Sequence, residues 1–61
     1  MIFEFHPIFN STIILIKTSN NEIVAVHETE NLEALYTLLR NVYGVNIREF
    51  EQLIKTGKLI K

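Results

Sequence analysis

Two short runs, Ile13 to Ile16 and Ile23 to Val26, are apolar at every position. Side chains of a strand point alternately to opposite faces, so a run without polar alternation predicts a sheet buried on both surfaces. The N-terminal segment differs. Met1 to His6 alternates, with Met1, Phe3 and Phe5 on one side and Ile2, Glu4 and His6 on the other. That pattern predicts a half-buried strand, stopped by Pro7. Ile8, Phe9, Asn10 and Ser11 then form a connection whose two apolar members are expected to tuck under the sheet.

Thr12 to Lys17 and Glu22 to His27 predict a β-hairpin around Thr18-Ser19-Asn20-Asn21, residues that suit the positive φ of tight turns. A four-residue loop sets Leu15 opposite Val24 and Ile13 opposite Val26, with Ile16 against Ile23 and Ile14 against Ala25 on the reverse face. A two-residue loop over Asn20 and Asn21 shifts the partners but keeps the faces, because an even slip of register does not invert a strand.

Helical periodicity follows. Asn31 can cap a helix running to Tyr43, with Leu32, Leu35, Tyr36, Leu38, Leu39, Val42 and Tyr43 on a wide apolar arc. Gly44 stands where a left-handed terminus is wanted. Asn46 then begins a second helix, with Glu49 three residues on in a near capping box and Ile47, Phe50, Leu53 and Ile54 as its buried stripe. Gly57 closes it. Lys58-Leu59-Ile60-Lys61 fits either a frayed tail or a fourth edge strand.

The architecture expected is α+β in the order β-β-β-α-α: a small antiparallel three-stranded sheet, a fourth short C-terminal strand left open, and two C-terminal helices packed on one face. Residues 1–61 read as a single small domain. Phe3 and Phe5 are expected to join Leu35, Leu39, Phe50 and Leu53 in its core.

Composition adds a stability argument. At 61 residues and 48% hydrophobic content, the chain is too apolar for intrinsic disorder and too short for a second core. Domains of this size bury only about 60% of the surface their unfolded chain exposes, so a staple is expected. The chain has no cysteine, which removes disulfides and thiolate zinc sites as that staple. Oligomerisation or tight partner binding remains. Six Lys and Arg against seven Asp and Glu leave a net charge of −1, which gives no long-range attraction for nucleic acid or an anionic membrane. No basic leader precedes an apolar stretch and no apolar run approaches the roughly 20 residues of a membrane span, so a soluble cytoplasmic protein is expected. Nine Ile and six Asn against two Ala and two Gly suggest an AT-rich coding sequence, hence a low-GC bacterium or its phage.

Candidate chemistry is sparse. His6 and His27 with Glu28 and Glu30 would form a ligand set if the first and third strands were neighbours. Without a dense spacing such as His-x-x-x-His they read as a polar rim, and no metal or cofactor is expected. A cleft that perturbs a general acid and base needs walls that a chain of this size rarely supplies, so no catalytic residue is assigned and no enzyme is expected. Ser11 reads as a turn residue. Tyr36 and Tyr43, seven apart on one helical face, suit either core packing or interface anchoring.

The remaining expectation is function through contact. Two helices can cover one face of the sheet, and the other face then needs a second copy of the chain or a larger protein on which it docks as inhibitor or adaptor. The face expected to be uncovered is Ile14, Ile16, Ile23 and Ala25, because Thr12 and His27 give it a polar margin. The competing expectation is a nucleic-acid binder built on the helix-turn-helix outline of residues 31–56, with Gly44-Val45-Asn46 as the turn. Its reading residues would be Arg48, Gln52, Lys55 and Lys58. Glu49 and Glu51 lie among them, which favours a solvated, ion-paired face.

Overall fold

The computed structural model describes all 61 residues, Met1–Lys61. The elements in chain order are β1 (Ile2–Ile8), β2 (Ser11–Lys17), β3 (Ile23–Thr29), α1 (Leu32–Tyr43), α2 (Ile47–Thr56) and β4 (Lys58–Ile60). The four strands form one antiparallel sheet in the order β3-β2-β1-β4. The segment after Gly57 is therefore a strand, and it pairs with β1, placing Leu59 opposite Phe3.

Each helix begins and ends where the local chemistry directs. The Asn31 side chain accepts hydrogen bonds from the backbone N–H groups of Glu33 and Ala34, which fixes the start of α1. At its end Gly44 is left-handed at φ 69°; its N–H donates to the Arg40 carbonyl while the Val45 N–H donates to Leu39. This paired arrangement satisfies carbonyls the helix would otherwise leave open, and it turns Val45 into the core. Asn46 and Glu49 form a complete capping box for α2, and Gly57, left-handed at φ 85°, ends it.

β1 runs through Pro7 instead of stopping there. The Phe5 N–H donates to the Gly57 carbonyl at 3.0 Å, so odd-numbered N–H groups of β1 point toward β4. β4 reaches only as far as Lys58, opposite Glu4. Pro7 shares the parity of Phe5, so its missing N–H falls on an open edge where no partner is lost. With the strand extended to Ile8, the turn shrinks to Phe9 and Asn10, and Ile8 pairs with Ser11. Phe9 is 90% exposed at its tip and Ile8 is half exposed. The expectation that both tuck under the sheet fails because a two-residue turn has no slack to fold back.

The β2–β3 register also departs from expectation. Ile16 pairs with Ala25, Leu15 with Val26 and Ile14 with His27, a slip of two residues that preserves the faces of β2. A bulge at Val24 then sets Ile23 opposite Lys17. Asn21 takes the positive φ, 67°, that this loop requires.

Antiparallel partners share a face, so Phe3, Ile14, Ile16 and Leu59 lie on the same side of the sheet. All four are buried, in one cluster with Leu35, Leu39, Val45, Phe50 and Leu53. Both helices therefore cover that single face, α1 over β3 and α2 over β1 and β4. Tyr43 packs edge-on to Phe3, Tyr36 lies 5.0 Å from Phe50 between ring centres, and Phe5, Ala25 and Ile54 are partly buried around them.

Candidate interaction surface

The residues between the buried ones point the other way. Ile2, Glu4, Leu15, Lys17, Ile13, Val26, Lys58 and Ile60 occupy the outer face, where neither helix reaches. Its apolar members are substantially open: Val24 and Val26 keep 56% and 57% of their surface in solvent and Ile60 keeps 69%. Ile2, Ile13 and Leu15 are half-buried by their neighbours alone. Ile8 extends the same surface to the β1–β2 turn, where Phe9 is almost fully exposed.

This overturns the expected choice of face. Ile14 and Ile16 are fully buried and Ala25 is partly buried beneath the helices, so none of the three offers an uncovered surface. The physical reason lies in β1: Phe3 and Phe5 supply the bulk of the core, and pairing places Ile16 and Ile14 directly beside them. Ile23 is exposed, but the bulge takes it out of the Ile16 row. Thr12 and His27 sit on the covered face, where His27 meets the Tyr43 hydroxyl at 3.1 Å.

Charge crosses the outer face in pairs. One Glu4 carboxylate oxygen accepts from Lys17 at 2.9 Å and the other meets His6 at 3.0 Å. These bonds, from His6 first and then Lys17, hold the Glu4 carboxyl below its ordinary value. Across the sheet, the Ser11 hydroxyl donates to Glu28 at 2.9 Å. Glu49, near the C-terminal end of β4, is also lowered, by the Asn46 backbone N–H and then by Lys61 at 3.1 Å.

His6 and His27 do not converge, since β2 separates their strands and they face opposite sides of the sheet. No group of three or more His, Asp or Glu side chains is placed to hold a metal ion. Arg48, Gln52 and Lys55 are exposed on α2 and Lys58 is exposed on β4, with Glu51 also exposed in the same helix. A shallow cavity of about 290 Å³ lies between the helices, walled chiefly by Leu32, Tyr36, Ile47, Phe50 and Ile54. No helix is long and apolar enough to cross a membrane.

Sequence pattern alone could not rank the two faces of β2 and β3, because both are apolar. The signal that ranks them is the alternation in β1, where Phe3 and Phe5 oppose Glu4 and His6. The chain matches no family model, no curated protein and no solved structure, so the reading of this surface rests on its chemistry.

Proposed function

We propose that this chain is a non-enzymatic protein-interaction module that pairs with a second copy of itself through the outer face of its sheet. The observation that carries the reading is the contrast in cover. One face holds a core sealed by two helices, and the other leaves Val24, Val26 and Ile60 exposed and Ile2 and Leu15 half-buried, with no helix over them, around a narrow charged row. Grouped exposed apolar residues with a polar margin mark contact sites.

A second copy fits this face electrically. A two-fold interface must complement itself, and here Lys17 and Lys58 balance Glu4 and Glu28, so each sign can meet its opposite across the axis. Three strands of seven residues and one of three, spaced about 4.8 Å apart at about 3.3 Å per residue, give a footprint of roughly 400 Å². A standard interface takes about 800 Å² from each partner, so the pairing belongs to the weak, reversible class. The core is small, with nine of 61 residues buried, and added burial from a neighbour would raise its stability by mass action.

Light scattering over a concentration series tests this. The expected result is a weight-average mass that rises from one chain toward two, and that stays at one chain for Leu15→Lys with unchanged circular dichroism. A mass that stays at one chain throughout would reject self-pairing and leave docking on a larger protein as inhibitor or adaptor. The nucleic-acid reading through Arg48, Gln52, Lys55 and Lys58 has no such support, since α2 alternates its charges and the chain is slightly acidic. Salt-sensitive oligonucleotide binding abolished by Arg48→Glu would reinstate it.

A further inference from the structure

The two edges of the sheet are built differently. On the β4 side, the edge strand is three residues long, Lys58 begins it and Lys61 follows it, and Pro7 removes an N–H from the stretch of β1 that β4 leaves uncovered. Short edge strands, lysines and prolines are the devices by which proteins keep edges from recruiting foreign strands. On the other side β3 is seven residues long and has no strand beyond it. It carries no lysine and no proline, and its inward residues Ala25, His27 and Thr29 bear no carboxylate or ammonium. Its one irregularity is the bulge at Val24, at the hairpin end.

The backbone groups left open on β3 can be assigned. Odd-numbered N–H groups of β1 point to β4, so the even residues of β1 bond to Leu15, Ile13 and Ser11 of β2. Thr12, Ile14 and Ile16 therefore bond to Thr29, His27 and Ala25 of β3. Val26 and Glu28 are left with both N–H and C=O directed off the sheet. Their side chains lie on the outer face and are exposed.

Charge decides what such an edge accepts. Between Lys17 and Arg40 the chain contains Glu22, Glu28, Glu30 and Glu33 and no Lys or Arg. A second copy of β3 laid antiparallel on the first would therefore set acid against acid or acid against valine in any register, and never acid against base. Like charges directly opposed across a strand pair are destabilising, and opposite ones contribute.

We propose that the free edge of β3 binds an extended segment of another protein by strand addition, and that the segment is basic at one end and apolar at the other. Run antiparallel, it places alternate apolar side chains beside Val24 and Val26 and alternate Lys or Arg beside Glu28 and Glu30. Hydrogen bonds to Val26 and Glu28 supply the docking, and the charge pairs fix direction and register. The site goes beyond the outer-face contact: its hydrogen bonds lie in the plane of the sheet at the β3 edge, and it shares with that face only the side chains of β3 itself.

The test uses the full chain and a labelled peptide, Lys-Thr-Lys-Thr-Val-Thr-Val, read by fluorescence anisotropy. Expected is saturable binding that weakens with added salt, at least tenfold tighter than that of the same peptide with glutamates for lysines. Glu28→Lys with Glu30→Lys should reverse that preference. N-methylation of the second lysine and first valine of the probe, the residues facing Glu28 and Val26, should abolish binding. Methylation of the middle threonine, which faces away, should leave it within about twofold. Leu15→Lys should keep peptide binding while losing self-association, which separates this site from the outer face. Equal affinity for both peptides, or indifference to which backbone position is methylated, would overturn the proposal.

Discussion

Ile14 and Ile16 alternate along β2 with Ile13 and Leu15, four side chains of nearly the same size and apolarity. The first two are sealed beneath the helices and the second two face outward with only their neighbours for cover. Nothing in β2 itself creates this difference. It comes from β1, where Phe3 and Phe5 fill one side and Glu4 and His6 occupy the other. A strand that is equally apolar on both sides takes its orientation from the strand that is not. The side left over then becomes the surface available for contact.

Charge insertion separates the two faces most sharply. Ile16→Lys buries an unpaired ammonium, at a cost of about 3–5 kcal/mol. Stabilities run at about 0.05–0.15 kcal/mol per residue, so that variant should lose its cooperative thermal transition by circular dichroism. Leu15→Lys, one position away, should keep the transition. If both variants unfold, the outer face is part of the folding core and the contrast collapses.

Truncation sharpens the comparison at smaller scale. Ile14→Ala should cost about 2–5 kcal/mol in urea denaturation through the cavity it leaves. Val26→Ala, at a half-open position, should stay within about 0.5 kcal/mol in the monomer at high dilution.

Acid provides a third comparison. Glu4 on the outer face and Glu49 beside the helix turn both have carboxyls held below their ordinary value by donors formed only on folding. Their contribution is present above the unfolded carboxylate range and is lost as pH falls through the folded values. The melting temperature should therefore drop on acidification, and Glu4→Gln with Glu49→Gln should flatten that dependence.

The smallest effect is expected at Phe9. Phe9→Ala should leave the melting temperature unchanged, because the ring is almost fully in solvent.

The order of elements, both helix caps, the capping box and the two terminal glycines were legible in the sequence, because each depends on residues within one turn. The core members Phe3, Leu35, Leu39, Phe50 and Leu53 followed from spacing. Which face of β2 the helices would choose depends on the β1–β2 register, and Pro7 obscured it by suggesting an early stop. The rule behind Pro7 is positional: proline breaks a strand only where its N–H was needed, and that depends on where β4 begins, at Lys58, some fifty residues later. Ile23 is exposed as expected, but opposite Lys17 instead of Ile16, since a bulge leaves no mark in hydrophobic alternation. That a small sheet leaves an edge able to recruit another strand follows from the element count alone, but which backbone groups of β3 stay open does not, because parity of bonding is fixed only by the strand order.

The pairing of β1 with β4 sets a condition on how the chain reaches its native form. Ile2 meets Ile60, 58 positions along the chain, whereas the two hairpins join near neighbours. Closing so long a loop is entropically costly until other contacts have drawn its ends together, so local hairpins can form early while the outermost strand must arrive late. Leu59, the one buried side chain of β4, should then enter the core in the last step. Trimming or weakening it should chiefly speed unfolding and leave the rate of folding nearly untouched.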